Sequence, residues 1–154
     1  MKPTDAYVAL GSNVGDRSRT LDRALELLDD LPEAVVAGVA TVRETDPVGP
    51  VDQPRFLNTV ARLRTTEGPH ELLDDLLRIE RALGRVRDGT RWGPRTLDLD
   101  LLLHGDAVLD ESGLTLPHPR LHERRFVLEP LAELAPELLV PGRGRVRDLL
   151  AGLH

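Results

Sequence analysis

Phe56-Leu57-Asn58-Thr59-Val60-Ala61-Arg62-Leu63-Arg64-Thr65, followed by Pro69 to Leu83 and then by Leu97 to Leu103, is the stretch whose periodicity decides the architecture. Residues 56–65 alternate apolar and polar side chains, the period-2 pattern of a half-buried strand. Pro69 suits a first helical turn, where its missing N–H costs nothing. Leu72, Leu73, Leu76, Leu77, Ile79 and Leu83 then recur at helical spacing and predict one buried side, with Gly84 ending the helix. Beyond a polar loop, Arg85 to Thr96, the run Leu97 to Leu103 predicts another strand.

The same order stands upstream. Ala6 to Leu10 reads as a short buried strand, ended by the turn-forming residues Gly11, Ser12, Asn13 and Gly15. Asp16 is placed to cap a helix reaching about Leu31, with Leu21, Leu25, Leu28 and Leu31 on one face and Pro32 as its stop. Val35 to Arg43 is rich in β-branched residues and predicts a strand, and Thr45 to Pro54 holds three prolines and predicts a loop. Strand, helix, strand, strand, helix, strand describes a ferredoxin-like βαββαβ sandwich of the α+β class, an antiparallel sheet with helices on one face. C-terminal additions follow: a small hairpin after Gly105, a Pro117-His118-Pro119 turn, a helix from about Glu123 to Leu134, and a last short segment, Val146 to Leu150.

With 154 residues, the chain is expected to form a single domain spanning 1–154. The absence of cysteine removes disulfides, thiol catalysis and cysteine-ligated metals. A net charge of -6 argues against a general nucleic-acid or acidic-membrane binder. No apolar run approaches the ~18 residues of a membrane span, and Met1 to Asp5 lacks a signal-peptide profile. The expectation is a cytoplasmic monomer acting on small molecules. Lys2 is the sole lysine, so a lysine-bearing phosphate loop is impossible and guanidinium groups or backbone amides must hold any phosphate.

Leu97-Asp98-Leu99-Asp100-Leu101 is the sharpest chemical signal. In a strand the two carboxylates share one face, about 6.6 Å apart along the backbone, while the leucines take the other. That pattern suits hard, oxygen-ligated cations completed by water and substrate phosphates; solvated aspartates on a half-exposed strand are the alternative. Aspartate disfavours strands, and like charges on one face repel. Arg85, Arg87, Arg91 and Arg95 precede the pair, interleaved with Trp92, Gly93 and Pro94. Guanidinium forks beside a cation-binding acid pair are what phosphoryl chemistry requires. A solvated basic loop, or a nucleic-acid patch stacking on Trp92, is the competing reading. Phe56 and Phe126 stand at loop edges, where two rings with Asn58 nearby could sandwich a flat heterocycle or simply cap the core. His118 is held between prolines, and His104 and His122 have no partner at metal-ligand spacing.

Ala9-Leu10-Gly11-Ser12-Asn13, Pro47-Val48-Gly49-Pro50, Asp52-Gln53-Pro54 and Phe56-Leu57-Asn58 resemble successive blocks of the 6-hydroxymethyl-7,8-dihydropterin pyrophosphokinase (HPPK) family. So do Gly84 to Arg87, Arg91-Trp92-Gly93-Pro94-Arg95-Thr96-Leu97-Asp98-Leu99-Asp100, Leu116 to Pro119 and Glu123-Arg124, in order along nearly the whole chain. The resemblance implies transfer of pyrophosphate from ATP to the pterin hydroxymethyl group, giving AMP and the pterin diphosphate, in folate biosynthesis. It implies two magnesium ions on Asp98 and Asp100, and a pterin held between Phe56 and Phe126. Asn58 and the segment from Thr45 to Val48 would read the pterin's polar edge, with Trp92 supporting. It further implies triphosphate contacts from Arg85, Arg87, Arg95, His118 and Arg124, with Arg85 and Arg95 acting in the transition state. Leu101 and Thr115 would line the adenine side, supported by Glu80. Phe56 stands where some relatives have tyrosine, Arg125 where a small residue is common, and Gly113 where some relatives reach toward the nucleotide. Another two-metal enzyme, such as a nucleotidyltransferase or phosphodiesterase, and a non-enzymatic nucleotide sensor are the competing functions.

Overall fold

The computed structural model describes residues 2–13, 16–46, 55–83 and 97–153. The first strand, β1, runs Thr4–Ser12 and alternates its side chains between two cores. Asp16 then caps α1 (Arg17–Asp29): its carboxylate accepts from the Arg19 N–H at 3.1 Å, satisfying a donor that the first helical turn leaves open. Leu21, Ala24 and Leu28 are fully buried by this helix, and Leu25 and Leu31 pack at the margin.

The predicted second strand divides into β2 (Ala34–Val39) and β3 (Arg43–Thr45), and Thr45, expected in the loop, closes β3. The break follows from Thr59, a buried residue of β4 (Phe56–Thr65), whose hydroxyl donates to the Ala40 carbonyl at 2.7 Å between the two pieces. Helix α2 (Pro69–Leu83) buries Leu72, Leu76 and Ile79. Leu77 departs from expectation: it is 41% exposed and turns toward a surface cavity instead of the core. Strand β5 (Asp98–His104) completes the sheet.

The strand order is β2-β4-β1-β5, every pairing is antiparallel, and β3 extends the sheet beside β4. This is the ferredoxin-like arrangement, with α1 and α2 packed on one face over Val8, Leu10, Ala61, Leu63, Leu99 and Leu101. The hairpin β6 (Leu109–Glu111) and β7 (Leu114–Leu116) adds Leu109, Leu114 and Leu116 to this helix-side core. The other face is covered too, by the rest of the C-terminal additions: a 3-10 turn at Leu121–Glu123, α3 (Arg125–Leu134), the small ribbon β8 (Leu139–Val140) with β9 (Gly144–Arg145), and α4 (Val146–Ala151). Val127, Leu128, Leu131 and Val146 meet Tyr7, Val60, Leu102 and Leu103 there in a second core. The expected helix from Glu123 thus starts two residues later, and the β8–β9 ribbon went unforeseen because its strands are only two residues long.

One irregularity matters for the site. Tyr7 pairs with Leu103 but Val8 pairs with Leu101, so Leu102 is an extra residue in β5. A bulge redirects side chains and breaks the ladder locally. Leu99 and Leu101 accordingly face the helices, whereas Leu102 and Leu103 enter the second core. The Leu102 carbonyl accepts from the His118 N–H at 2.9 Å, docking the Pro117-His118-Pro119 turn onto β5 just past the two aspartates.

Candidate active site

A cavity of about 220 Å³ opens on the α3 side of the sheet, where β1 ends and β5 begins. Its floor is made by Ala9 and Gly11, small residues that alternate on β1 with the core residues Val8 and Leu10. Gly11 is register partner to both Asn58 and Asp98, and a Cβ there would lie 2.7 Å from Asn58 Oδ1. Glycine is needed because the Asn58 amide crosses over it. Gly11, whose neighbours predict a turn, lies inside β1.

One wall carries Thr45 and Asp46 after β3 with Phe56 and Asn58 from β4. Asn58 Nδ2 donates to Thr45 Oγ1, which fixes the amide plane against the cavity. The opposite wall is Asp98 and Asp100, half-buried and exposed respectively, both on the face expected from their spacing. Arg124 and Phe126, at the start of α3, complete the cavity, with the guanidinium 5.6 Å from the ring centroid. That distance allows a cation–π contact.

A second cavity of about 480 Å³ lies across β5. Leu73, Leu77 and Glu80 of α2, Leu99, Asp100 and Leu101 of β5, Gly113 to Thr115, His118 and Pro119 line it. Asp100 belongs to both cavities. Gly113 has φ +88 in the turn between β6 and β7, a conformation that L side chains avoid, so the turn itself accounts for the glycine. Glu80 is buried, and its Oε2 accepts from the Leu99 N–H at 2.8 Å, between the two aspartates.

His118 is electrostatically tied to the acid wall. Burial lowers its imidazole pKa below the ordinary value; Asp100 pulls upward, while Arg124 and Arg120 push down. Nδ1 accepts from the Arg120 N–H at 3.2 Å, which assigns the proton of the neutral ring to Nε2 as a donor. Two other histidines take structural partners: His104 Nε2 bonds the Glu67 carbonyl and His70 Nε2 meets Glu111, each at 2.8 Å.

Asp98, Asp100, Phe56, Phe126, Asn58, Thr45 and Arg124 therefore converge on one cavity, and Glu80, Leu101, Thr115 and His118 on the other. Val48, Arg85, Arg87, Trp92 and Arg95 lie outside the described residues. Leu73 and Leu77 line the second cavity, where their helical spacing predicts core positions, while Asp46 falls within the Thr45–Val48 segment expected at the first cavity and Ala9 within the Ala9–Asn13 block. Among the described residues no group of three or more histidine, aspartate or glutamate side chains could hold a metal ion. A two-carboxylate donor set fits magnesium, which binds through one or two carboxylates and takes its other oxygens from phosphates and water.

The wall built on β3 and β4 is tied to α3 from the cavity side. Glu133 Oε2 accepts from the Thr41 N–H at 2.8 Å and from its hydroxyl at 3.0 Å, and Oε1 takes Arg43 Nη2 at 2.8 Å. The Thr41 N–H is the main cause holding the Glu133 carboxyl below its ordinary pKa, with the hydroxyl and Arg43 adding to it. A depressed carboxylate pKa stabilises the fold above the ordinary value, and that stabilisation is lost as pH falls through the depressed one. Glu133→Gln is therefore expected to melt below wild type near neutrality, with the gap closing below about pH 4.3. Thermal melts from pH 7 to 3 check this; a gap that stays constant across the range contradicts the assignment.

A family model for 7,8-dihydro-6-hydroxymethylpterin-pyrophosphokinase (HPPK) matches residues 7–136. The chain is 50% identical over 145 residues to the 2-amino-4-hydroxy-6-hydroxymethyldihydropteridine pyrophosphokinase of Pseudomonas aeruginosa, covering 94% of this chain and 89% of that one. Identity to the Bacillus subtilis protein of the same name is 47% over 133 residues, 86% of this chain and 79% of the relative. Among solved structures, Plasmodium falciparum HPPK-DHPS shares the fold at TM-score 0.73 and 14% identity, over 97% of this chain and 41% of that one. A substrate complex of HPPK-DHPS gives TM-score 0.77 at 12% identity, over 98% and 43%. The chain thus spans less than half the length of those two solved chains. No helix among the described residues is long and apolar enough to cross a membrane.

Proposed function

The chain belongs to the 7,8-dihydro-6-hydroxymethylpterin pyrophosphokinase family, and from that premise we propose that Asp98 and Asp100 are its metal-holding acids, set between a pterin site and an ATP site. The reaction moves pyrophosphate from ATP to the hydroxymethyl group of 6-hydroxymethyl-7,8-dihydropterin, a step of folate synthesis. The observation that carries the residue assignment is the wall shared by the two cavities, which has Asp100 on both sides.

In this reading Phe56 and Phe126 take the two faces of the pterin, while Asn58 and Thr45 meet its hydrogen-bonding edge. Leu73, Leu77, Leu101 and Thr115 receive the adenosine end of ATP. The hydroxymethyl oxygen attacks the β-phosphorus as the bond from that phosphorus to the α,β-bridging oxygen breaks. AMP leaves with that oxygen and the hydroxyl proton passes to solvent. Two magnesium ions on Asp98 and Asp100 would supply charge neutralisation on the attacking and leaving oxygens. His118, neutral with Nε2 as donor, can hold a phosphate oxygen without repelling the flanking guanidiniums. Arg124 faces the same space. Val48, Arg85, Arg87, Trp92 and Arg95 keep the roles that the family motif implies, with Arg85 and Arg95 on the transferred group. We take residues 1–154 to act as one catalytic unit and as a cytoplasmic monomer without nucleic acid; the second core joining α4 to β1 supports the single unit.

The test is incubation with ATP, magnesium and 6-hydroxymethyl-7,8-dihydropterin, followed by mass analysis. AMP and the pterin diphosphate are expected in equal amounts. Free pyrophosphate with a nucleotidylated acceptor would instead identify a nucleotidyltransferase.

A further inference from the structure

We propose that Glu44 is a positioning residue for pterin binding, the centre of a charge cluster that braces the substrate wall from behind. The inference rests on the reading of the Phe56–Asn58 cavity as the pterin site. By strand alternation, Glu44 and Arg55 point away from that cavity while Thr45, Phe56 and Asn58 line it. Arg17, the first residue of α1, reaches across: Nη2 lies 2.9 Å from Glu44 Oε2, and Nη1 donates to the Arg55 carbonyl at 2.7 Å. The other Glu44 oxygen takes Arg55 Nη1 at 2.9 Å, and Arg55 Nε meets Asp46 at 3.1 Å. Every one of these groups is next in sequence to Thr45 or Phe56, or, for Arg17, anchored on a separate rigid element.

The wall needs such a brace. Strand β3 is three residues long and among the described residues pairs only with β4, with Thr45↔Phe56 as the last pair there. A short terminal pair frays readily, and fraying here removes the Thr45 hydroxyl that orients the Asn58 amide. Glu133 secures the front of this segment through Thr41 and Arg43; Glu44 secures its back through Arg17. Single exposed ion pairs contribute little, but here one carboxylate engages two guanidiniums at bonding distance, and one of those also holds backbone.

The ATP cavity shares no residue with this segment, which gives the experiment its resolution. In steady-state kinetics Glu44→Gln and Arg17→Ala are each expected to raise the pterin KM about three- to tenfold while kcat and the ATP KM stay within about twofold of wild type. Thermal melts of both variants accompany the kinetics, and a general loss of structure moves both substrates together. Wild-type turnover with unchanged pterin KM in both variants overturns the inference and leaves the pterin reading standing, as does an equal rise for both substrates. If wild-type protein fails to turn over the pterin, the reading falls and the inference falls with it.

Discussion

Replacing Asp100 by alanine is expected to lower kcat by about 10³-fold or more without loss of thermal stability, with Asp98→Ala close behind in rate. The rate effect follows from position. Asp100 stands on the wall common to both cavities and Asp98 one strand repeat away on the same face, so a cation they shared would lie between the two proposed substrate sites. Losing one of two carboxylates leaves a metal site with half its protein charge, and the phosphates must then approach the hydroxyl without full neutralisation. The stability effect runs the other way. The two acids share one side of a strand, and removing the exposed Asp100 relieves like-charge repulsion without opening a core cavity. Single-turnover kinetics and melts at matched pH check both halves. Magnesium supplies a further readout: it is expected to raise the melting temperature of the wild type in the presence of ATP more than that of either variant. Turnover within tenfold of wild type in both variants would remove the metal assignment.

The sequence already contained whatever depends on local period. Phe56 to Thr65 and Pro69 to Leu83 match β4 and α2 residue for residue because alternation and helical spacing are properties of neighbouring side chains. The Asp98/Asp100 pair was legible for the same reason, since facing follows from parity alone. What stayed hidden depends on distant partners. Gly11 is a glycine on account of Asn58, forty-odd positions away and opposite it only after β1 and β4 pair. The extra residue Leu102 cannot be read from an uninterrupted leucine run, yet its carbonyl docks His118 beside the acids. Strand β2 ends and β3 begins where a buried threonine of another strand claims the Ala40 carbonyl. Leu77 shares the helical period of the core leucines, and only the position of β5 and the β6–β7 hairpin turns it into cavity lining. Periodicity finds the elements; the cavity walls come from which elements become neighbours.

Glu80→Ala is the second large effect expected, about 10²-fold in kcat together with a fall of several degrees in Tm. Among the described residues strand β5 pairs only with β1, so its other side is a sheet edge there, with backbone groups left to satisfy. Glu80 reaches from α2 to cover that edge, accepting the Leu99 N–H at 2.8 Å in a buried setting. Alanine leaves this donor unpaired, a loss of about 1–3 kcal/mol. Leu99 lies between the two aspartates, so relaxation of its backbone displaces both carboxylates at once, and a shift near 1 Å is enough to cost about two orders of magnitude in rate. Glu80→Gln keeps an acceptor oxygen at the same reach and is expected to recover most of the stability and most of the rate. The pair of variants separates the causes. If Gln is as slow as Ala but as stable as wild type, the glutamate charge acts on the nucleotide directly; if Ala is destabilised yet turns over normally, β5 holds its acids in place without help from α2.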